Sequence, residues 1–244
     1  MATWNPWHGC RKVSSGCLNC YVYRRDAEFG KYSNIIARTS SFDLPVRRDR
    51  KGMYKLLPDG ESVYTCMTSD FFVEEADEWR PEAWKMIQAR GDLHFMIITK
   101  RIHRFQIGLP KDWGEGYDNV TICCTCENQN MADYRLPIFL NLPIRHRTII
   151  HEPMLEWIEI RRYLATGLIE QVTCGGESGP EARICDYAWI LDTMQPCLEY
   201  DVPFWFKQTG AKFKKGNRIY HIERKDQMHQ AEKAGVNYRY ERNN

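Results

Sequence analysis

The sequence predicts an α/β protein, organised as a full or partial parallel (β/α) barrel of the TIM type with six to seven strands. Three observations support this class: short β-rich segments alternate with helical ones, the connections between them are short, and no linker divides the series. Strand, helix and strand in this order give parallel strands joined by crossovers. A chain of 244 residues is long enough for one large domain of this kind.

The elements follow in order after a stub of strand before Cys10 and a predicted helix over 21–36. Period-two, β-branched segments predict six strands, namely 62–68, 94–99, 120–125, 147–150, 169–174 and 203–206. Helical patterns lie between them, namely 73–90, 102–107, 130–140, 156–165 and 187–200. Residues 38–61 have no periodicity and hold a basic cluster at 47–51, which predicts either a solvated loop or contact with a polyanion.

Every predicted strand is followed by polar or glycine residues. They are Ser69-Asp70, Lys100-Arg101, Glu127-Asn128, His151-Glu152, Gly175-Gly176-Glu177-Ser178 and Lys207-Gln208. In a parallel barrel the loops after the strands meet at one face, which is where active sites of this class lie. The pattern therefore predicts a functional site at the carboxyl ends of the strands.

The C-terminal part has a different pattern. Residues 212–223 resemble a hairpin around Gly216-Asn217, and residues 226–234 read as a short helix that ends at Gly235. We therefore predict a barrel over 1–210 and an appendage over 211–244 that packs on it.

Composition limits the cellular setting. The net charge is only +2, so it does not by itself require a nucleic-acid partner. There is no run of about 18 apolar residues and no signal-peptide pattern, which predicts a cytoplasmic protein without a membrane partner. In such a compartment the ten cysteines are expected as core residues or metal ligands rather than as disulfides.

The strongest local signal is a loop with three cysteines. Cys10, Cys17 and Cys20 have the spacing C-x6-C-x2-C in a segment rich in glycine and proline, where core residues are poorly placed. Three thiolates leave one position of an iron–sulfur cluster open to a small molecule. A zinc site with His8 as fourth ligand and a purely structural role are the alternatives.

Several further motifs accompany these cysteines. They are Trp4-Asn5-Pro6, Gly9-Cys10, Val13-Ser14, Gly16-Cys17, Asn19-Cys20-Tyr21, Thr99-Lys100-Arg101, Glu127-Asn128, Glu152-Pro153, Gly175-Gly176-Glu177-Ser178-Gly179-Pro180 and Phe206-Lys207-Gln208. Together they resemble a phage-associated family of uncharacterised three-cysteine proteins in the radical S-adenosylmethionine (SAM) superfamily. The resemblance covers about residues 4–210. It implies a TIM-like barrel, a [4Fe–4S] cluster on the three cysteines, SAM and a reducing electron donor.

The resemblance also implies a chemistry. In that superfamily one electron from the cluster breaks the sulfonium bond of SAM, and the resulting 5′-deoxyadenosyl radical abstracts hydrogen from a substrate. The present sequence departs from the commonest spacing, C-x3-C-x2-C, and has Asn19 where an aromatic residue is usual. Cluster binding without cleavage of SAM is therefore an alternative.

The same resemblance assigns cofactor-binding roles to strand ends. Thr125-Cys126-Glu127 is similar to the Ser/Thr-x-Glu pattern that binds the ribose, and Ser69 and Asp70 stand where the superfamily often binds the ammonium group. Lys100 or Arg101 is expected to pair with the SAM carboxylate. Glu177, in a glycine-rich turn, is assigned to SAM or to substrate. The alternative is a ring of ion pairs that stabilises the barrel mouth.

The catalytic residues themselves are not identified by any motif. Cys126 is a candidate hydrogen-donor or redox thiol, and His151 and Glu152 are candidates for proton transfer.

Two functions of different classes follow. The first is a radical SAM enzyme that acts on an unidentified substrate, for which a nucleotide or nucleic-acid base is suggested by the phage association and the basic loop. The second is a non-catalytic iron–sulfur or zinc module that binds nucleic acid or a partner protein. A hydrolytic barrel that uses Glu127, Glu152 and Glu177 is a third, weaker hypothesis.

Overall fold

The computed structural model describes residues 2–58, 60 and 62–239 and confirms the α/β class. The helices and strands in chain order are β1 (Ala2–Trp4), β2 (Trp7–His8), α1 (Tyr21–Glu28), β3 (Ala37–Arg38), β4 (Val63–Thr65), α2 (Arg80–Ala89), β5 (Phe95–Thr99), β6 (Val120–Thr125), α3 (Gln129–Leu140), β7 (His146–His151), α4 (Arg161–Leu164), β8 (Gln171–Gly175), β9 (Ile184–Asp186), α5 (Tyr187–Glu199), β10 (Phe204–Gln208), β11 (Lys212–Lys215), β12 (Arg218–His221) and α6 (Gln227–Lys233).

The centre of the fold is a seven-stranded sheet in the order β1-β4-β5-β6-β7-β8-β10. Every neighbouring pair is parallel, as the alternation of strands and helices predicts. Among the described residues β1 and β10 do not pair with each other, so the sheet is open. A full barrel, the larger of the two expectations, is therefore not formed, and the fold corresponds to a partial one.

The open edge at β10 is covered by the C-terminal tail. Phe204 and Tyr238 exchange backbone hydrogen bonds of 2.8 and 2.9 Å, and Asn237 Oδ1 accepts from the amide of Phe206 at 2.8 Å. An exposed strand edge is a template for unwanted pairing, and this segment removes it. The tail therefore does at β10 part of what a further strand would do.

Three predicted helices are shorter than expected, and two of them have a local cause. The helix expected over 21–36 ends at Glu28, because Gly30 adopts a φ of +64° that terminates it. The pattern over 102–107 gives only a 3-10 turn at Ile102–Arg104. The pattern over 156–165 forms a helix only at Arg161–Leu164, since Glu156 and Glu159 instead bond to Gln129.

The helical pattern over 73–90 is divided. A 3-10 turn covers Glu74–Ala76, and α2 begins at Arg80 with Pro81 in its first turn, where a missing N–H costs nothing. Arg80 is fully buried and donates to the carbonyl groups of Phe71 and Val73 at 2.9 and 2.8 Å. This guanidinium therefore fixes the segment that connects β4 to α2.

The hairpin predicted for the tail is present. Strands β11 and β12 pair antiparallel with Gly216 at the turn, and β11 also pairs in parallel with β9. The appendage is thereby attached to the region before α5 as well as to β10.

Within the described residues, no helix has the length and apolar character that a membrane span requires.

Candidate functional site

A cavity of about 440 Å³ lies at the carboxyl ends of the central strands. Its floor includes Ile98, Thr125 and Ile150, which come from β5, β6 and β7. Nine of the residues singled out from the sequence line it, namely Cys10, Cys17, Cys20, Ser69, Asp70, Lys100, Thr125, Glu152 and Glu177. The parallel sheet thus brings the cysteine loop and most of the predicted strand-end residues to one place.

The three cysteines of the loop differ from the other seven. Cys10, Cys17 and Cys20 are partly exposed, whereas every other cysteine is buried. Cys17 ends a 3-10 turn, and Cys20 is the N-cap residue directly before α1. All three cysteines of the loop line the cavity.

Cys10 is held beside a cation. Arg101 Nη1 lies 3.5 Å from Cys10 Sγ, and Arg101 Nη2 donates to the carbonyl of Arg11 at 2.7 Å. Burial and then the nearby Asp70 carboxylate raise the pKa of the Cys10 thiol to about 11, and Arg101 opposes both. The guanidinium is therefore placed to stabilise this sulfur when it carries negative charge.

Glu127 contacts the centre of the cysteine loop through a hydrogen bond to Gly16. Its side chain is fully buried, Oε2 accepts from Arg135 Nη1 at 2.7 Å, and Oε1 accepts from the backbone amide of Gly16 at 3.2 Å. Burial alone would raise the pKa of Glu127, but Arg135, Ser14 and Lys100 outweigh it and lower the pKa below its usual value. Glu127 does not line the cavity.

Glu177 holds the end of the same loop. Its carboxylate accepts from Arg183 Nη2 and Nε at 2.6 and 3.0 Å, and from Asn19 Nδ2 at 3.0 Å. Although burial raises it, the net effect of Arg183 and Asn19 lowers the pKa of Glu177. Asn19, the residue before the last cysteine of the loop, is thus tied to this carboxylate.

Asp70 holds the arginine at Cys10. Oδ1 accepts from the hydroxyl of Thr99 at 2.8 Å and Oδ2 from the amide of Lys100 at 2.9 Å, while Arg101 Nη1 lies 3.3 Å from Oδ2. Its neighbour Ser69 donates its hydroxyl to the carbonyl of Gly9. Both side chains thus connect the end of β4 to the cysteine loop and to Arg101.

These contacts change the roles expected for four residues. Ser69, Asp70, Glu127 and Glu177 were predicted to bind cofactor, but each is engaged by protein partners. For the three carboxylates the geometry is that of the ion-pair alternative, because each faces an arginine. A buried carboxylate that already accepts from protein donors positions structure more readily than it captures a ligand.

The side-chain polar atoms of two other predicted residues have no hydrogen-bond or ion-pair partner among the described residues. Lys100 has no hydrogen bond or ion pair from its ammonium to any part of the chain that the structure describes, and it lines the cavity. Thr125 also lines the cavity, is fully buried, and its Oγ1 has no hydrogen-bond partner there. A buried hydroxyl without a partner costs about 1–3 kcal/mol, so its retention points to a ligand in the cavity.

The catalytic candidates are separated by the structure. Glu152 lines the cavity and accepts from Lys207 Nζ at 2.7 Å and from the amide of Gln208. Cys126 and His151 are fully buried and do not line it. Burial lowers the pKa of His151 to about 4, and His151 Nδ1 lies 2.6 Å from the carbonyl of Cys126. The proton-transfer role of His151 stays a prediction, and its ring lies outside the lining of this cavity.

The sequence did not reveal several residues that matter for the site. Arg135 and Arg183 hold the two clamping glutamates, and the tail contributes Arg224 and Met228 to the cavity wall. Glu127 ends a predicted strand and Arg135 lies on the predicted helix that follows it, and their separation of eight residues did not by itself indicate a pair. The basic segment 47–51 lines neither this cavity nor the adjoining smaller one.

The candidate metal ligands of the site are the three loop cysteines, which line one cavity. Within the described residues no group of three or more His, Cys, Asp and Glu side chains is arranged to hold one metal ion. His8, the expected fourth zinc ligand, is paired with Asp26 at 2.9 Å and does not line the cavity. A four-iron cluster takes each thiolate on a different iron, so three accessible thiols on one cavity suit it in kind and number.

The comparisons with known proteins give one match. A family model described as "Protein of unknown function (DUF5131)" matches residues 1–240. Because the match covers almost the entire chain, the chain belongs to this family. Neither a curated protein nor a solved structure matches it.

The packing of Gly16 on Glu127 generates a first prediction. A Cβ at position 16 would lie 2.9 Å from Glu127 Cδ, and this side chain is held in place by Arg135. Gly16→Ala should therefore lower the free energy of unfolding by about 1–3 kcal/mol and speed alkylation of Cys17 and Cys20. Gly91→Ala is the control, since nothing lies within 4 Å of its Cβ position. Equal stability and equal labelling rates of the two variants would contradict this packing.

His151 generates a prediction about pH. Its folded-state pKa of about 4 lies below the usual 6.5, so the unfolded chain takes up the proton first as pH falls. The stability that the neutral ring contributes is present above pH 6.5 and is lost between pH 6.5 and 4, by about 3 kcal/mol. In urea titrations across this range His151→Asn should lack that loss. His229→Asn, at an exposed position on α6, should retain it; a shared pH profile of both variants would refute the assignment.

Proposed function

We propose that this DUF5131 family member binds a [4Fe–4S] cluster through Cys10, Cys17 and Cys20 and acts with SAM as a radical enzyme. The observation that carries the proposal concerns one cavity. Among the described residues, the only partly exposed cysteines line it together with a lysine and a hydroxyl whose side-chain polar atoms have no partner. When bound, the cluster and SAM supply a one-electron cleavage of the sulfonium and hydrogen abstraction from a substrate.

Three residues of the chain hold the loop that carries Cys10, Cys17 and Cys20. Glu127 fixes the loop at Gly16, Glu177 fixes it at Asn19, and Arg101 reaches Cys10. Arg101 lies beside Cys10 Sγ, where its positive charge can stabilise the thiolate form that binds iron. These groups act as positioning residues and need not contact SAM.

Lys100 and Thr125 are the residues we assign to SAM. An unpaired ammonium can pair with the carboxylate of the methionine moiety, and an unpaired hydroxyl can bond to a ribose hydroxyl. Both side chains lie at ends of neighbouring strands, β5 and β6, on the same cavity. These are the contacts with SAM that the sequence leads us to expect for both residues.

The substrate side of the cavity is formed by Glu152, Lys207 and Gln208, together with Arg224 and Met228 of the tail. Its wall carries both a carboxylate and cations, which suits a polar substrate. The candidate substrate is a nucleotide or a nucleic-acid base, and an external reductant serves as electron donor.

Iron binding tests the centre of the proposal. After anaerobic purification or reconstitution, the wild-type chain should contain about four irons and show a charge-transfer absorption that SAM alters in the reduced protein. Cys10→Ala, Cys17→Ala and Cys20→Ala should each lose most of the iron. Cys197→Ala, which removes a buried thiol in α5, is the matched control and should retain it.

Product analysis separates the enzyme from its alternative. Reduction with dithionite in the presence of SAM should release 5′-deoxyadenosine from the wild-type chain. A full cluster with bound SAM and no such product would support the non-catalytic module instead. Iron loss in none of the three variants would refute the cluster itself.

Substitutions of the two proposed SAM contacts should weaken SAM binding without lowering stability or iron content. Thr125→Val removes an unpaired buried hydroxyl, so it should leave stability unchanged or raise it by about 1 kcal/mol while weakening SAM binding in equilibrium dialysis. Lys100→Met should weaken SAM binding about tenfold through loss of a charged hydrogen bond. Iron content should stay unchanged in both.

Lys111→Met is the control for the lysine, because Lys111 is exposed and does not line the cavity. Unchanged SAM affinity in Lys100→Met and Thr125→Val, with cluster intact, would overturn these two assignments without touching the cysteines.

A further inference from the structure

A second cavity, of about 300 Å³, adjoins the first. Arg224 lines both, and Gly179 and Pro180 of the second follow directly on Ser178 of the first. The turn after β8 therefore forms a shared wall. A ligand that occupies the main cavity can extend past Arg224 into this smaller space.

The second cavity collects cations that have no counter-charge. Arg24, Lys212 and Arg224 line it, and none of them forms an ion pair with a carboxylate in the described part of the chain. Arg24 and Arg224 instead donate to the backbone carbonyl and the hydroxyl of Ser178, at 3.1 and 3.5 Å. Most other arginines near the site are paired with acids, so these three stand out.

Among the residues that line this cavity, Glu223 carries the one carboxylate, and it has another partner. Glu223 pairs with Lys225 at 2.9 Å, and about three quarters of both side chains is exposed to solvent. An exposed pair of this kind contributes little to the local field. The cavity wall therefore keeps an excess of positive charge.

The backbone is shaped to bring Arg24 into this position. Arg24 lies on α1, one helical turn after Cys20, and its Nη1 is 2.0 Å from where a Cβ of residue 179 would lie. Gly179 also has a φ of +104°, which side chains other than glycine rarely adopt. The guanidinium thus occupies the space that only glycine leaves free at this turn.

A buried polar atom in the same wall lacks a partner. Gln227 is about 1% exposed and lines the cavity, and its Nε2 donates to the carbonyl of Ile222 at 3.1 Å. Its Oε1 is buried and accepts from no donor among the described residues. Such an atom calls for a hydrogen-bond donor from a ligand.

We propose that this second cavity binds the phosphate monoester group of the substrate, with Arg24, Lys212 and Arg224 as its counter-charges and Gln227 Oε1 as acceptor for a neighbouring hydroxyl. The assignment rests on the proposed function in one respect, namely that the substrate body occupies the main cavity. A phosphate monoester carries nearly two negative charges and three acceptor oxygens, which match three cations better than a carboxylate does.

The test uses ribose 5-phosphate as the probe and ribose as its uncharged counterpart. Calorimetric titration of the wild-type full chain should show binding of ribose 5-phosphate but not of ribose, and the affinity should fall as salt rises. Arg24→Gln and Lys212→Gln should each weaken binding about tenfold, the usual loss for a charged hydrogen bond.

Matched controls come from the other basic region. Arg50→Gln and Lys51→Gln remove exposed charges that line neither cavity, and they should leave the affinity unchanged. Circular dichroism checks the fold of each variant. If Arg24→Gln is unstable, Arg24→Lys takes its place: it keeps the charge and should bind ribose 5-phosphate with part of the wild-type affinity. Equal binding of ribose and ribose 5-phosphate, no binding of the phosphate at millimolar concentration, or unaltered affinity in both cavity variants would overturn the proposal.

The result is independent of the cluster. The Cys10→Ala, Cys17→Ala and Cys20→Ala triple variant should still bind ribose 5-phosphate within about threefold of the wild type, because Arg24, Lys212 and Arg224 remain. Phosphate binding without iron in the wild-type chain would therefore refute the cluster alone. Iron with a normal spectrum and no phosphate binding would refute the second cavity alone.

Discussion

The site depends on three buried carboxylates that attach the cysteine loop to the ends of the strands. Asp70, Glu127 and Glu177 are at most 6% exposed, and each faces an arginine across 2.6 to 3.3 Å. Burial of an ion pair carries a desolvation cost that is offset only by close geometry and further hydrogen bonds. Here those further bonds go to Lys100, Gly16 and Asn19, so the same interactions that satisfy the charges also fix the loop.

This arrangement divides the polar residues at the strand ends into two groups. One group is fully engaged with protein and holds the thiols at the cavity. The other group, Lys100 and Thr125, lines the cavity and has no partner among the described residues. The Thr125 hydroxyl is fully buried and has no compensation for lost water, so a ligand is expected there. Lys100 is only partly buried, and it contributes an unpaired positive charge to the same cavity. In the smaller cavity Gln227 Oε1 is likewise buried without a partner among the described residues.

The C-terminal tail belongs to the site as well as to the fold. It pairs with the edge of β10 through Tyr238, and it provides Arg224 and Met228 to the main cavity. An open sheet needs a cover at its edge, whereas a closed barrel does not. The tail that covers the open edge of the sheet thus also forms part of the cavity wall.

The sequence by itself determined the parallel α/β order, the polar strand ends and the distinction of three cysteines from the rest, because period and spacing are local properties of a chain. It did not determine which strand-end carboxylates are free. That depends on Arg135, Arg183 and Arg101, which compete with any ligand for the same oxygens and whose proximity is set by packing. Sequence patterns place a carboxylate at a rim, but only the tertiary structure decides whether a guanidinium already occupies it.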